Sequence, residues 1–146
     1  MLMLEDTASS PSGRPWWARP LGLLALAFGL LTLAEGGGVL FGSEATRTAA
    51  GAYVPFVVWS NFLLGFAYVA AGLGLWRWRG WAAPLAAAIA AITLGTFAAF
   101  GLHVVLGGAH ETRTVIAMAV RSVFWLAAAG LACRSLGCRS ARLAPE

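Results

Sequence analysis

The chain has very little charge to offer to water. Charged residues make up 11% of its 146 positions, and lysine is missing altogether: all ten basic residues are arginine. An ordinary soluble domain carries about 25% charged residues, so the deficit excludes that class. Arginine used without lysine, beside abundant alanine and glycine, points to a GC-rich genome. The missing lysine also removes a phosphate loop. Gly36-Gly37-Gly38 has neither that lysine nor the strand–turn–helix setting that cradles nucleotide phosphates. Histidine is nearly as scarce. Of His103 and His110, only His103 falls in an apolar run, whereas haem held between facing helices needs histidines on separate ones. Two cysteines, Cys133 and Cys138, match no metal or redox spacing and read as reduced cytoplasmic thiols. No hydrolytic triad assembles, because Ser60 and Ser122 lie in apolar helical stretches where a hydroxyl usually bonds back to its own helix.

What is present is hydrophobic sequence, 60% of the chain. It falls into four runs, at about 20–41, 53–76, 81–106 and 114–133. Each is long enough, at about 1.5 Å per helical residue, to cross a hydrocarbon core of about 30 Å. Pro55 and Pro84 stand at the starts of the second and third runs, where a helix tolerates proline. Thr32-Leu33-Ala34 has the small-residue pattern of a signal-peptide cleavage site. The run continues through Val39-Leu40-Phe41, however, and a long polar stretch precedes it, so we read it as a retained span. The expected fold is all-α, an antiparallel four-helix transmembrane bundle over 20–133. A disordered cytoplasmic tail precedes it at 1–19, and a second cytoplasmic tail follows at 134–146.

The formal net charge of +4 does not argue for nucleic acid, since the arginines flank apolar runs and act as topology signals. The N-terminal tail, the turn Arg77-Trp78-Arg79-Gly80 and the C-terminal tail hold most of them. The loops at 42–52 and 107–113 balance each arginine with an acidic residue. The positive-inside rule therefore places both termini in the cytoplasm and those two loops outside. Trp16 and Trp17, beside Arg14 and Arg19, look like an interfacial anchor.

Small residues at helical spacing mark the expected packing faces. They are Gly22, Ala25 and Gly29 on the first run, Gly65 and Gly72 with Asn61 and Tyr68 on the second, and the ridge Ala87, Ala91, Gly95 and Ala99 on the third.

Each run also carries one strongly polar residue. By helical rise, Glu35 lies about 9 Å, Asn61 about 12 Å and Arg121 about 10 Å inside the outer ends of their runs, with His103 nearer the surface. Four residues distant in sequence thus share the outer half of the membrane. Arg121 interrupts an apolar run at a cost of about 2.5–3.5 kcal/mol on insertion scales, so it is expected to face a partner, and Glu35 is the candidate. Asn61 and His103 complete an intramembrane polar cluster, with hydroxyls of Thr32, Ser60 and Ser122 nearby. The outer loops add Glu44, Arg47, His110, Glu111 and Arg113. Arg113, unfavourable at a helix N-terminus, is expected to pair with Glu44 or Glu111, and Thr112 or Thr114 to cap the last helix. His103, His110, Glu111 and Met118 are the residues a metal would draw on, but no ligand spacing is met and no metal site or cofactor is assigned.

The stretch Val58-Trp59-Ser60-Asn61-Phe62-Leu63-Leu64-Gly65-Phe66-Ala67-Tyr68, with Glu111-Thr112-Arg113-Thr114-Val115-Ile116-Ala117-Met118, resembles small, uncharacterised bacterial inner-membrane proteins of four spans. That resemblance covers most of the chain after Arg19 and implies a multi-pass protein of the bacterial inner membrane, with no activity to transfer. In size and Gly-rich spans the chain also more weakly resembles DoxX-like four-helix membrane proteins, some of which are linked to quinone-coupled oxidation. Small multidrug transporters likewise have four short spans and a glutamate in the first. The present chain departs from them in Arg121, which can neutralise that glutamate.

The expected function is that of an accessory or scaffold membrane subunit without catalysis of its own. A small-solute or proton-coupled transporter using Glu35 is the first alternative, and a quinone- or metal-linked redox component the second. The expected partners are the lipid bilayer and a second copy or a membrane-complex subunit.

Overall fold

The computed structural model describes residues 13–138. Among them are five helices and no strand: α1 (Ala18–Phe41), α2 (Glu44–Ala50), α3 (Pro55–Trp76), α4 (Ala82–Val105) and α5 (Thr112–Leu136). All but α2 are long and apolar enough to cross a membrane. The shortest of these, α3 with 22 residues, rises about 33 Å, more than the hydrocarbon thickness.

The termini of the helices follow local chemistry. Pro55 occupies the first turn of α3, where its missing N–H would have no partner in any case. The 42–52 segment, read from sequence as a loop, contains α2. Ser43 caps it by accepting from the Thr46 N–H, and Gly51 ends it at φ 70°. At α5 the N-cap is Glu111, with no side-chain cap hydrogen bond, in place of the expected threonine. Most of the expected N-terminal tail lies outside the described residues. Its last part is engaged: Arg14 donates to the Trp76 carbonyl (3.1 Å), and Trp17 meets Trp78 edge-on. Trp78 holds φ 56°, a left-handed conformation uncommon for a bulky residue.

The tightest seam joins α1 to α3. A Cβ at Gly22 would lie 2.5 Å from the Trp76 nitrogen, and one at Gly29 would lie 2.8 Å from the Val69 nitrogen. From the other side, a Cβ at Gly72 would lie 2.6 Å from the Leu26 nitrogen. Glycine therefore brings the two backbones into direct contact, which maximises dispersion between them. The glycines recur every seven residues (Gly22, Gly29, Gly36; Gly65, Gly72), the period that keeps one seam facing its partner along a left-handed supercoil.

Elsewhere large side chains set the spacing. The central core packs Tyr68, Ile89 and Trp125 with Ala25, Ala71, Ala86 and Ala128. Tyr68 packs against Trp125 in a tilted pair with ring centroids 4.7 Å apart, and its hydroxyl shares a buried hydrogen bond with Thr93 (3.3 Å). The expected small-residue ridge of α4 is not a packing face. Ala91, Gly95 and Ala99 are exposed, and α4 instead buries Ala82, Ala83, Ala86, Ile89, Ala90, Thr93 and Phe100. Ile89 and Phe100 make more dispersion contacts with the core than alanine or glycine would, and that face packs inward.

The outer surface of the long helices is apolar. Leu23, Leu30, Leu63, Phe66, Ile92, Ile116, Val120 and Val123 are all exposed. The expected reduced thiols are corrected: Cys133 and Cys138 form a disulfide. Gly137, at φ 73°, turns the end of α5 back on itself and brings the two Cα atoms to 4.7 Å.

Candidate functional site

At the end of the fold where α2 lies, a cavity of about 360 Å³ opens among α1, α2, α3 and α5. The chain builds it by omission. The backbones of long helices adjacent in sequence approach closely, whereas those of α1 and α5, first and last, stand further apart and meet through side chains. Thr32, Glu35 and Val39 of α1 face Arg113, Ala117 and Arg121 of α5 across the gap. Val57, Val58 and Asn61 of α3 close one side, and Thr46, Ala49 and Ala50 of α2 roof it.

Arg121 is the centre of this site. It is only 8% exposed, in the middle of an apolar helix. Its Nη2 reaches Glu35 Oε2 at 3.9 Å and donates to Thr32 Oγ1 at 3.5 Å. The guanidinium carbon also lies 5.6 Å from the centre of the Phe28 ring, within cation–π range. None of these contacts is short. A charge-assisted N–H to carboxylate bond sits at about 2.7–2.9 Å, and Arg121 Nε has no hydrogen-bond partner at all. Glu35 is 76% exposed on its side chain, so the two halves of the pair differ sharply in burial. Asn61, also buried, donates from Nδ2 to the Met118 sulfur (3.5 Å) and leaves Oδ1 unpartnered.

Three of the four expected intramembrane residues, Glu35, Asn61 and Arg121, thus line one cavity. His103 is elsewhere. Its Nε2–H donates to the Ala109 carbonyl (3.2 Å) and its ring folds over the α4–α5 loop, in space that any side chain at Gly108 would fill. Three residues from the end of α4, a histidine reaches the loop more readily than the helix interior. Ser122 donates to the Met118 carbonyl of its own helix (2.8 Å), the back-bond expected of a hydroxyl there.

The outer-loop residues mostly hold helix ends. Arg47 pairs loosely with Glu44 (3.8 Å) and donates to the carbonyls of Val39 and Gly42, which α1 leaves open at its C-terminus. Glu111 accepts from the Ala52 N–H (2.9 Å), a carboxylate placed favourably at the start of α5. Arg113 departs from expectation. It pairs with neither Glu44 nor Glu111 but donates to the carbonyl of Ala50 (3.4 Å), the last residue of α2, while lining the cavity. Glu44 is taken by Arg47 and Glu111 by the backbone of Ala52, so neither is left for it. His110 donates from Nδ1 to the Gly108 carbonyl (3.1 Å). Among the described residues no group of three or more His, Cys, Asp or Glu is placed to hold a metal ion.

Thr46 and Tyr53 line the cavity without having been singled out as site residues. The signal for Thr46 was legible, since Ser43 followed by helix formers and closed by Gly51 marks a short capped helix. Nothing local marks Tyr53, in the link between α2 and α3, which joins the site only through the tertiary fold. Comparison with protein-family models, curated proteins and solved structures finds no match to this chain. The class is therefore defined by architecture alone: a small all-helical protein with four membrane-length helices and a buried arginine beside a cavity at one end.

Proposed function

We propose that this chain is a multi-pass protein of the bacterial inner membrane, an antiparallel four-helix bundle that serves as an accessory or scaffold subunit. The observation that carries the reading is the Arg121–Glu35 pair between α5 and α1 (3.9 Å). The backbones of these two helices, first and last, stand further apart than those of long helices adjacent in sequence. A charge that must be neutralised within an apolar helix draws the first helix to the last and closes the ring. Below it, Phe28 of α1 and Phe124 of α5 meet with ring centroids 5.3 Å apart and continue the same closure. The apolar outer girdle supports membrane residence, because a water-soluble monomer rarely exposes a contiguous apolar surface of such extent.

The test is a double-mutant comparison of unfolding in detergent and of membrane insertion. Glu35→Ala and Arg121→Ala each lower stability or insertion, because each leaves one charge without its partner. Replacing both with apolar residues restores much of the loss. Equal damage from single and double changes would refute the scaffold role. A second reading, a solute transporter using Glu35, draws on that carboxylate's exposure at the cavity edge. It requires Glu35→Gln to abolish solute-coupled proton movement in reconstituted vesicles.

The orientation follows from the arginines. Arg14, Arg19, Arg77, Arg79 and Arg134 belong to helix ends that meet at one face, taken as cytoplasmic, whereas Arg47 and Arg113 at the α2 end are offset by Glu44 and Glu111. With both native cysteines replaced by serine, a cysteine at Thr48 in intact cells reacts with a membrane-impermeant maleimide, and one at Arg79 does not. The reverse pattern inverts the topology.

A further inference from the structure

Charge is divided between the two ends of the fold in a way that helix packing does not require. In the half toward α2, Arg47, Arg113 and Arg121 stand against Glu35, Glu44 and Glu111, three of each sign. The formal net charge of +4 therefore falls wholly on the other end and on the tails that continue from it in sequence. The described residues of that end include Arg14, Arg19, Arg77, Arg79 and Arg134 and no acidic residue. Glu5, Asp6 and Glu146 belong to the tails, as do Arg139 and Arg142, so the excess survives when the tails are counted.

Tertiary packing gathers these arginines from three parts of the chain. Leu21 of α1, Leu75 of α3, Ala83 of α4 and Ala132 of α5 belong to one apolar cluster, which brings the four helix ends together. Arg14 reaches across to the Trp76 carbonyl (3.1 Å), beside Arg77. All five arginines are exposed, and among the described residues none of them pairs with a carboxylate. The same end holds Trp16, Trp17, Trp76, Trp78 and Trp81, five of the seven tryptophans. Trp16, Trp76 and Trp81 are exposed. Trp78 takes φ 56°, a conformation that suits glycine, and its ring meets Trp17 edge-on. Indole rings at the ends of membrane helices sit at headgroup level. The arginines are therefore placed at the depth of lipid phosphates, and a guanidinium matches two phosphate oxygens with two parallel N–H donors.

We propose that this Arg–Trp end is a binding surface for phospholipids of net negative headgroup, phosphodiesters of the phosphatidylglycerol class. The arginines hold the phosphates, the exposed indoles lie among the headgroups, and exposed Leu23 and Leu131 meet the acyl chains below. A zwitterionic headgroup carries its own cation, which opposes the arginines and makes it the weaker ligand. The inference rests on the membrane reading. It does not depend on the scaffold role or on which end is cytoplasmic.

The experiment adds phosphatidylglycerol, phosphatidylcholine with the same chains, glycerophosphate or poly-glutamate to the full-length protein in a neutral detergent. Native mass spectrometry reads what is retained, and thermal unfolding reads stability. Phosphatidylglycerol is retained in preference to phosphatidylcholine and raises the melting temperature, whereas glycerophosphate and poly-glutamate do not. Each arginine near an anionic lipid surface is worth about fivefold, so replacing two weakens phosphatidylglycerol about 25-fold. Arg77→Gln with Arg79→Gln is that variant; both residues are exposed, so lipid-free unfolding stays close to wild type. Arg47→Gln with Arg113→Gln, in the neutral half, leaves retention close to wild type. Equal retention of the two lipids overturns the proposal. So does equal loss from the two double variants, which marks a charged micelle acting on the whole protein. A glycerophosphate response matching phosphatidylglycerol assigns a soluble phosphate ligand, and a matching poly-glutamate response an acidic protein partner; either overturns the lipid. Insertion into phosphatidylcholine vesicles is read separately. A chain that inserts there without preferring phosphatidylglycerol overturns this inference alone, and one that does not insert overturns the membrane reading with it.

Discussion

Replacing Gly72 with alanine tests the seam on which the fold is built. The added methyl would sit 2.6 Å from the Leu26 nitrogen and 3.0 Å from both the Leu26 Cα and the Gly22 carbonyl oxygen. All three are backbone atoms, so no side chain can rotate away to make room. Non-bonded carbon contacts settle at about 3.5–4.0 Å, so α1 and α3 must part locally by about 1 Å. A gap of that size forfeits about a quarter to a half of each contact's attraction. Gly22 and Gly29 hold the same seam at comparable closeness, which spreads the loss along the helices. Overpacking of this kind costs about 1–3 kcal/mol. Gly95→Ala is the control. Nothing lies within 4 Å of a Cβ there, and alanine is about 1 kcal/mol better than glycine in a helix interior. Unfolding of both variants in detergent, followed by far-UV circular dichroism, separates them: Gly72→Ala unfolds earlier than wild type and Gly95→Ala no earlier. A Gly72→Ala midpoint at or above wild type, or equal loss in both variants, refutes the close-packed seam.

Other perturbations probe the remaining contacts. Ile89 is 1% exposed and Ile92 53%. Ile89→Ala is therefore expected to cost about 2–5 kcal/mol of unfolding free energy, and Ile92→Ala much less; equal costs would contradict the burial pattern. Glu111→Ala removes the acceptor for the Ala52 N–H and is expected to cost about 1–3 kcal/mol, with Glu111→Gln recovering part of it, as read by thermal unfolding. Ser43→Ala removes the α2 cap; α2 amides then exchange hydrogen faster, by a factor matching about 1 kcal/mol of local stability, while the long helices keep their protection.

Much of the architecture was legible because it rests on sums over many residues. A run of apolar residues longer than the bilayer is thick leaves little choice but helix, since every backbone group must be satisfied within the segment. The expected runs at 53–76 and 81–106 agree with α3 (Pro55–Trp76) and α4 (Ala82–Val105) to within two residues. The α1 and α3 glycine stripes were legible for a related reason, because small residues repeated on one face carry periodicity that a single helix displays. The α4 stripe shows where that reasoning stops. Its spacing is as regular as the others, yet Ala91, Gly95 and Ala99 remain exposed. The opposite face of α4 carries Ile89 and Phe100, and the partner helices present Tyr68 and Trp125 to fill against.

The site divides along the same line. That a buried arginine needs a counter-charge follows from the sequence, and electrostatics alone points to Glu35. Whether the pair is tight or loose does not follow, because a distance of 3.9 Å depends on where two helices come to rest. His103 shows this plainly: it shares an approximate depth with Arg121, but its ring belongs to the α4–α5 loop. Depth is one coordinate, and rotation about the helix axis and the path of the next loop supply the others.

By itself the sequence determined composition, the number and length of the membrane-length helices and the presence of one arginine within an apolar run, each of which is local or additive along the chain. The tertiary structure decided which faces meet, the roof that α2 places over the cavity, the disulfide that Gly137 permits, and the two unpartnered atoms beside Arg121. Those outcomes depend on the relative rotation and spacing of whole helices. Glycine contacts between the backbones of α1 and α3 set the close spacing at one seam, and side chains such as Phe28, Phe124 and Arg121 the wider spacing at another.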